Sequence, residues 1–126
     1  MAILHVDDEA VIREVVCRAL EAHGFVVASV DGVRTAKLAL AERRDLTGAL
    51  LDIRLRDGNG LDLYQWIAVH QPRLAARVAF VTGSADAEAF GPLLALGCRF
   101  LRKPFEIAEL IRLAEEWEGA TDAGPP

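Results

Sequence analysis

Residues 2–9 read AILHVDDE, a mostly apolar run that ends in three consecutive acids. Two later stretches share this design: residues 48–53 read GALLDI, and residues 78–82 read VAFVT. Short apolar runs bounded by polar or turn residues are typical of strands buried on both faces of a parallel sheet. The sequence therefore predicts central strands whose last residues are acids or hydroxyls.

Helical patterns separate these runs. Residues 10–23 place apolar side chains at helical spacing, and Gly24 is predicted to end that helix in the left-handed conformation. The other predicted helices cover residues 33–44, 61–71, about 85 onward, and 106–118. The other predicted strands cover residues 25–30 and 98–101. Because proline disrupts a helix, Gly91-Pro92 is predicted to kink or split the fourth helix.

Five buried strands alternating with five helices predict an α/β fold. Right-handed crossovers favour a doubly wound, five-stranded parallel sheet of flavodoxin-like strand order 2-1-3-4-5. The length of 126 residues is that of one domain. We assign residues 1–118 to this domain and residues 119–126 to a short flexible C-terminal tail.

Composition excludes several classes of protein. The net charge of −5 provides no basic surface for nucleic acid, so we expect no nucleic-acid partner. An uncharged apolar run of about 18 residues is lacking, so we expect no membrane span. Cys17 and Cys98 form no CxxC pair and are interpreted as buried free thiols in a reducing compartment, which predicts a cytoplasmic protein.

Ligands of doubly wound sheets bind beyond the carboxyl ends of the strands. The chain places Asp7 and Asp8, Asp52, Thr82 and Lys103 at four such ends. Clustered carboxylates repel one another, and a divalent cation removes that repulsion; an all-oxygen set at an open site suits Mg²⁺. Together with a lysine and a hydroxyl, the set is typical of a phosphoryl-transfer site.

Each residue also has a simpler interpretation. Asp8 is placed to cap the first helix, Lys103 alone would be a solvated surface lysine, and Thr82 alone carries no signal. Asp52 is harder to explain in this way, because an acid inside an apolar strand is costly unless it is paired or metal-bound. His5, in a central strand, is interpreted as a hydrogen-bonded core residue rather than a ligand.

Four segments resemble the receiver domain of two-component response regulators. They are LHVDDE at residues 4–9, LLDIRL at residues 50–55, VTGS at residues 81–84 and KPF at residues 103–105. The resemblance runs from about residue 2 to residue 118. The sequence departs from the family pattern at Arg56, where a proline is usual.

The resemblance implies a role for each site residue. Asp52 would be the phosphoacceptor, and Asp8, Asp52 and the backbone carbonyl of Arg54 would bind Mg²⁺, with Asp7 acting through a metal-bound water. Lys103 would pair with Asp52 and then with a phosphoryl oxygen, and the Lys103-Pro104 peptide would be cis. Thr82 and Phe100 would form a conformational switch. Arg54 and Ser84 would control the lifetime of the phosphoryl group.

The implied function is a signalling switch rather than an enzyme acting on other molecules. Its phosphoryl donor would be a histidine kinase or a histidine phosphotransfer protein, and its output would be the binding of a downstream target protein, or a homodimer. We expect a stand-alone receiver; the alternative is the receiver part of a larger regulator or hybrid kinase. An aspartate-nucleophile phosphatase is disfavoured, since Arg54 occupies the position of its second aspartate.

Overall fold

The computed structural model describes residues 2–83 and 99–122, with side chains described as far as Gly119. The predicted fourth helix with its Gly91-Pro92 kink, Ser84, Cys98 and residues 123–126 lie outside the described residues.

Five strands form one parallel sheet, and two short strands form a separate ladder. In chain order the strands are β1 (Ala2–Val6), β2 (Val26–Val30), β3 (Leu46–Asp52), β4 (Arg54–Leu55), β5 (Gly58–Asn59), β6 (Val78–Thr82) and β7 (Arg99–Arg102). The sheet order is β2-β1-β3-β6-β7, which confirms the predicted order 2-1-3-4-5. The small antiparallel β4–β5 ladder was predicted only as a loop.

The described helices are α1 (Ala10–Ala22), α2 (Val33–Glu42), α3 (Gly60–His70), α4 (Pro72–Ala75) and α5 (Ile107–Asp122). Gly24 has a φ of 87°, which confirms the left-handed end of α1. The short helix α4 was not predicted: Pro72 ends α3 but also opens a new turn, since the first helical position needs no N–H donor. Helix α5 continues past Glu118, where the sequence pattern had placed its end.

Two hydrophobic layers cover the sheet. One packs α2, α3 and α4 against alternate strand residues such as Leu51 and Phe80. The other packs α1 and α5 against the intervening residues, such as Leu50 and Ala79. Because successive strand side chains point to opposite faces, a continuous apolar strand supplies both layers at once.

One close contact fixes α5 on its layer. A Cβ built on Gly48 would lie 2.3 Å from the ring of Trp117, which is buried. The glycine in β3 therefore lets the indole pack directly against the strand.

Two expectations from composition have structural outcomes. Within residues 2–83 and 99–122, no helix combines the length and apolarity needed to cross a bilayer. Cys17 is a free cysteine, but it is only half-buried, and its thiol donates a hydrogen bond of 2.8 Å to Glu21 Oε1. The prediction of a free thiol is confirmed for Cys17, but the prediction that it is buried was wrong, because its helix position lies at the margin of the core.

Candidate functional site

Three aspartates meet at the carboxyl edge of the sheet. Asp7 and Asp8 follow β1, and Asp52 ends β3, which is the hydrogen-bonded neighbour of β1. One carboxylate oxygen from each of the three lies within 4.8 Å of the others. Asp7 and Asp52 are buried, whereas Asp8 is partly open to solvent.

Lys103 brings a positive charge into this cluster. Its Nζ donates a hydrogen bond of 3.1 Å to Asp52 Oδ2 and lies 3.4 Å from Asp7 Oδ2 and 3.5 Å from Glu9 Oε1. The backbone N–H of Lys103 also donates to the carbonyl of Thr82, at 2.6 Å, and the Lys103-Pro104 peptide is cis. A single ammonium thus faces several carboxylates, and the site keeps an excess of negative charge.

The electrostatics of Asp52 and Lys103 follow from this packing. Burial raises the pKa of Asp52 to about 6; the hydrogen bond and charge of Lys103 oppose that increase, and the charge of Asp7 adds to it. Burial by itself would lower the pKa of Lys103, but Asp52, Asp7 and Glu9 outweigh it, and the pKa is raised. Lys103 is therefore a permanent cation in the site.

Thr82 and Phe100 lie on the adjoining strands β6 and β7. Thr82 is fully buried, and within the described part of the chain its Oγ1 has no hydrogen-bond partner. Phe100 pairs in register with Phe80 and is half-buried against the layer of α2 and α3. An orphaned hydroxyl at a strand end is costly unless a further oxygen atom satisfies it at some stage.

The loop after β3 holds Asp52 through backbone contacts. The Arg54 N–H donates to Asp52 Oδ1 at 3.3 Å, and the Arg54 side chain is exposed. Gly60 donates from its N–H to the carbonyl of Ile53, and a Cβ at Gly60 would lie 2.4 Å from the carbonyl oxygen of Asp52. Only a glycine leaves room for α3 to begin this close to the loop.

A second link ties this loop to α2. The carboxylate of Asp57 accepts hydrogen bonds from the N–H groups of Val33, at 2.8 Å, and Arg34, at 3.1 Å. Gly32, which precedes α2, carries no capping side chain, and its missing Cβ leaves the space that Asp57 occupies. Asp57 thus caps the helix from a distant part of the chain, and these hydrogen bonds lower its pKa.

Several contributors to the site were not identified from the sequence. Glu9 lies near Lys103, and Arg13 donates a hydrogen bond of 2.6 Å to the carbonyl of Asp7. Gly60 leaves room for the carbonyl of Asp52, and Asp57 caps α2. Glu9 follows the two aspartates directly, which was a usable signal; Arg13, one turn into α1, carries none that local patterns would show.

His5 lies in β1 below the acids. It is buried, as predicted, but among the described residues its Nδ1 has no hydrogen-bond partner, so the prediction of a hydrogen-bonded ring was wrong for that atom. Its Nε2 is 4.0 Å from Asp7 Oδ2. Burial, followed by the charges of Lys103 and Arg13, lowers the pKa of His5 to about 4, so the ring is neutral at pH 7.

The donor set fits a small divalent cation. Three carboxylates with converging oxygens are the ligands that Mg²⁺ prefers, and the exposure of Asp8 leaves room for waters. Within the described residues, the buried Asp7 Oδ2 also has no hydrogen-bond donor. A cation bound near these oxygens would compensate the negative charge that Lys103 does not neutralise.

Comparisons with known proteins identify the class. A family model described as the response regulator receiver domain matches residues 3–115. The transcriptional regulatory protein GltR of Pseudomonas aeruginosa is 36% identical over 111 residues, covering 87% of this chain and 46% of GltR. KdpE of Escherichia coli, the KDP operon transcriptional regulatory protein, is 36% identical, covering 98% of this chain and 55% of KdpE.

Solved structures agree with these relatives. The fold is similar to that of a response regulator receiver protein from Pseudomonas putida, with a TM-score of 0.82, 31% identity, and coverage of 91% of this chain and 95% of the other. The chain belongs to the response regulator receiver domain family of two-component signalling. Such domains act as signalling switches rather than as conventional enzymes.

The relatives GltR and KdpE are longer than this chain. The chain spans about half the length of the curated relatives GltR and KdpE. Several relatives are named transcriptional regulators, so the expectation that nucleic acid has no part in the function is not supported.

Proposed function

We propose that Asp52 accepts a phosphoryl group from a phosphohistidine of a histidine kinase or a histidine phosphotransfer protein. A carboxylate oxygen of Asp52 bonds to phosphorus, the P–N bond breaks, and its electron pair returns to the imidazole, which takes up a proton. The observation that carries this proposal is the buried Asp52 carboxylate, 3.1 Å from Lys103 Nζ and clustered with Asp7 and Asp8. Acids alone would repel a phosphoryl group, and Lys103 together with a bound Mg²⁺ would reverse that effect.

The proposed Mg²⁺ ligands are Asp8, Asp52 and the backbone carbonyl of Arg54, with Asp7 holding a metal-bound water. Bound Mg²⁺ would supply charge compensation between the carboxylates and the phosphoryl oxygens. Lys103 would exchange its Asp52 partner for a phosphoryl oxygen. The backbone hydrogen bond from Lys103 to Thr82 holds the main chain of Lys103 at the end of β6, and its ammonium already lies 3.1 Å from Asp52 Oδ2, where the phosphoryl group would be attached.

The switch would involve Thr82 and Phe100. We propose that the Thr82 hydroxyl, now without a partner among the described residues, donates to a phosphoryl oxygen. Movement of Thr82 would let Phe100 turn further into the protein. Since phenylalanine has no hydroxyl, this second step would be steric only.

Output would then come through binding of a downstream target or of a second copy of the chain. We propose a cytoplasmic protein with a receiver unit over residues 1–118 and a short tail over residues 119–126, of which the first four residues continue helix α5 as far as Asp122. The stand-alone arrangement and the receiver part of a larger regulator both fit this unit. The chain covers about half of GltR and KdpE but 95% of the receiver protein from Pseudomonas putida, so each arrangement has a counterpart among the similar proteins.

Intact-mass spectrometry tests the phosphoacceptor. The protein is incubated with acetyl phosphate and Mg²⁺, with and without EDTA, beside the Asp52→Asn variant. The expected result is a gain of one phosphoryl group that needs Mg²⁺ and is lost in Asp52→Asn. Asp45→Asn is the matched control, because Asp45 is an exposed acid at the opposite edge of the sheet.

Two results would contradict the assignment. A phosphoryl adduct that persists in Asp52→Asn would assign acceptance to another residue. If no adduct forms in the parent, beryllofluoride provides a second test, since it mimics a bound phosphoryl group without turnover. Failure of beryllofluoride to bind in the presence of Mg²⁺ would reject the phosphoacceptor role.

We further propose that Arg54 and Ser84 control the lifetime of the phosphoryl group. The Arg54 backbone contacts Asp52, and its long cationic side chain is exposed beside the site, where it would restrict an attacking water. Arg54→Ala is expected to lose its phosphoryl group several-fold faster, as followed by intact mass over time. An unchanged or slower loss would rule out this role.

A further inference from the structure

The two helical faces of the sheet differ in charge. In the described residues of α2, α3 and α4 with their flanks, 33–44 and 60–77, six arginines and lysines stand against two acids. In α1 and α5 with their flanks, 9–22 and 106–119, eight acids stand against three arginines. Asp45 and Asp57 border the first face, where Asp45 pairs with Arg43 and Asp57 caps α2, so that face keeps a small excess of positive charge in a protein whose net charge is negative. Such a separation steers partners by sign.

The positive face includes an exposed stripe along α2. Arg34, Lys37, Leu38 and Ala41 recur at helical spacing, and all four are exposed. Leu38 keeps 54% of its surface open to solvent. The inward stripe of α2, which includes Ala36 and Leu40, is fully buried, so the outward stripe is not required for folding.

A groove runs beside this stripe. It has a volume of about 420 Å³, and Val33, Arg34, Lys37, Leu38 and Asp57 line it. The groove is shallow and open to solvent, so it can receive a side chain of a partner but does not enclose a small molecule. The groove thus combines an apolar wall with two cations and with the Asp57 carboxylate, whose oxygens accept hydrogen bonds from the first N–H groups of α2.

The positive surface continues onto α3. Lys37 Nζ lies 5.5 Å from the ring of Trp66, and Trp66 stacks on His70 with ring centroids 4.0 Å apart. Val69, on the same helix, is 78% exposed. An aromatic ring in contact with a cation, with an exposed aliphatic side chain on the same helix, resembles the composition of binding hot spots.

We propose that this surface, defined by Arg34, Lys37, Leu38, Trp66 and Val69, docks an acidic segment of a partner protein that inserts one large apolar side chain beside Leu38. The positive charge selects acids, and the apolar groove selects a segment that is not acidic throughout. A nucleic-acid backbone would satisfy the cations but would leave the groove empty. The proposal does not depend on phosphorylation of Asp52.

NMR titration of the isotope-labelled chain tests the surface. The probe is a short acetylated and amidated peptide in which glutamates flank a Phe-Leu pair, and the control peptide carries lysines in place of the glutamates. The glutamate peptide is expected to shift amide signals of α2 and α3, and the lysine peptide is not. The Arg34→Glu/Lys37→Glu variant should bind about tenfold more weakly, since two attractive surface pairs become repulsive.

Further variants separate charge from the apolar contact. Leu38→Asp should weaken binding to a similar extent. Because more than half of the Leu38 surface is open to solvent, the variant should stay folded, and amide spectra check this. Arg18→Glu/Arg112→Glu is the matched charge reversal on the α1–α5 face and should leave the affinity within twofold. Asp52→Asn should bind as the parent does, which separates this result from any failure of the phosphoacceptor assignment.

Four outcomes would overturn the proposal. They are an absence of shifts with the glutamate peptide, shifts confined to α1 and α5, equal binding of the lysine peptide, and unchanged binding by Arg34→Glu/Lys37→Glu. Tighter binding of a short DNA duplex to the same amides would assign the surface to nucleic acid instead. Shifts that appear on raising the protein concentration alone would assign it to a second copy of the chain.

Discussion

Strand β3 passes through two different environments. Ala49, Leu50 and Leu51 lie in the two hydrophobic layers, where apolar atoms surround them on both faces. Asp52, the next residue, lies among carboxylates and a lysine, with its pKa raised to about 6 chiefly by burial. The body of the strand stabilises the fold, whereas its carboxyl end holds charges at a cost in stability. The strand positions that are costly are those that the proposed function uses.

The largest expected effect concerns the hydrophobic layers. Trp117→Ala should lower the free energy of unfolding by about 3–5 kcal/mol, because it removes a buried indole. Gly48→Ala should cost about 1–3 kcal/mol, since its new Cβ would meet that indole. Denaturant unfolding measures both.

The double variant Gly48→Ala/Trp117→Ala tests whether the two residues are energetically coupled. Its cost should be smaller than the sum of the two single costs, because the clash disappears with the ring. Both single variants should still gain a phosphoryl group when folded. Strict additivity would show that Gly48 and Trp117 do not constrain each other.

The next effect concerns the charge on Asp52. In EDTA, the parent should gain about 2–3 kcal/mol of stability relative to Asp52→Asn as the pH falls from 7 to 4. Between its ordinary pKa of 3.8 and the folded value of about 6, the folded protein binds more protons at Asp52 than the unfolded chain does. Protonation therefore favours folding across that window, and stability is lost again as the pH rises through 6.

Denaturant unfolding at several pH values measures this difference. Referring the parent to Asp52→Asn cancels the titration of other acids to a first approximation. A stability difference between the parent and Asp52→Asn that stays constant with pH, or that falls as the pH falls, would mean that burial does not raise the pKa of Asp52.

A smaller effect is expected at Gly60, which lies against Asp52, where the apolar part of β3 ends and the charged site begins. Gly60→Ala should lower stability by about 1–3 kcal/mol and slow phosphorylation, because the new Cβ would press on the carbonyl of Asp52. Gly119→Ala is the matched control, since a Cβ there meets nothing within 4 Å and helix propensity improves. If Gly60→Ala phosphorylates at the parent rate, this contact does not position Asp52.

The smallest effect concerns the link between the loop and α2. Asp57→Asn should reduce stability slightly and speed amide hydrogen exchange at Val33 and Arg34, which lose a charged acceptor. Because the pKa of Asp57 is lowered on folding, this contribution is present at neutral pH and is lost as the pH falls through the folded pKa. Exchange rates at Val33 and Arg34 that match the parent would show that Asp57 does not cap α2.

The sequence by itself determined the strand order, the burial of the central strands β1, β3 and β6, and the identity of the residues at the strand ends. These features depend on side-chain periodicity and on near neighbours, which are visible in a linear chain. It also placed Asp7, Asp8 and Asp52 at one edge, because parallel strands bring their carboxyl ends together. The prediction that all five strands are buried was wrong for β2 and β7, because each lies at an edge of the sheet, where one side has no neighbouring strand. The sequence did not indicate α4 or the β4–β5 ladder, both of which are only a few residues long.

Only the tertiary structure decided how the site is held together. Lys103 meets Asp52 across 51 positions of the chain, and Asp57 caps α2 across 24. The approach of Gly60 to Asp52 and the positive face of α2 and α3 likewise depend on how the elements pack. Such contacts are set by strand register and helix packing, which bring together residues that no local pattern relates.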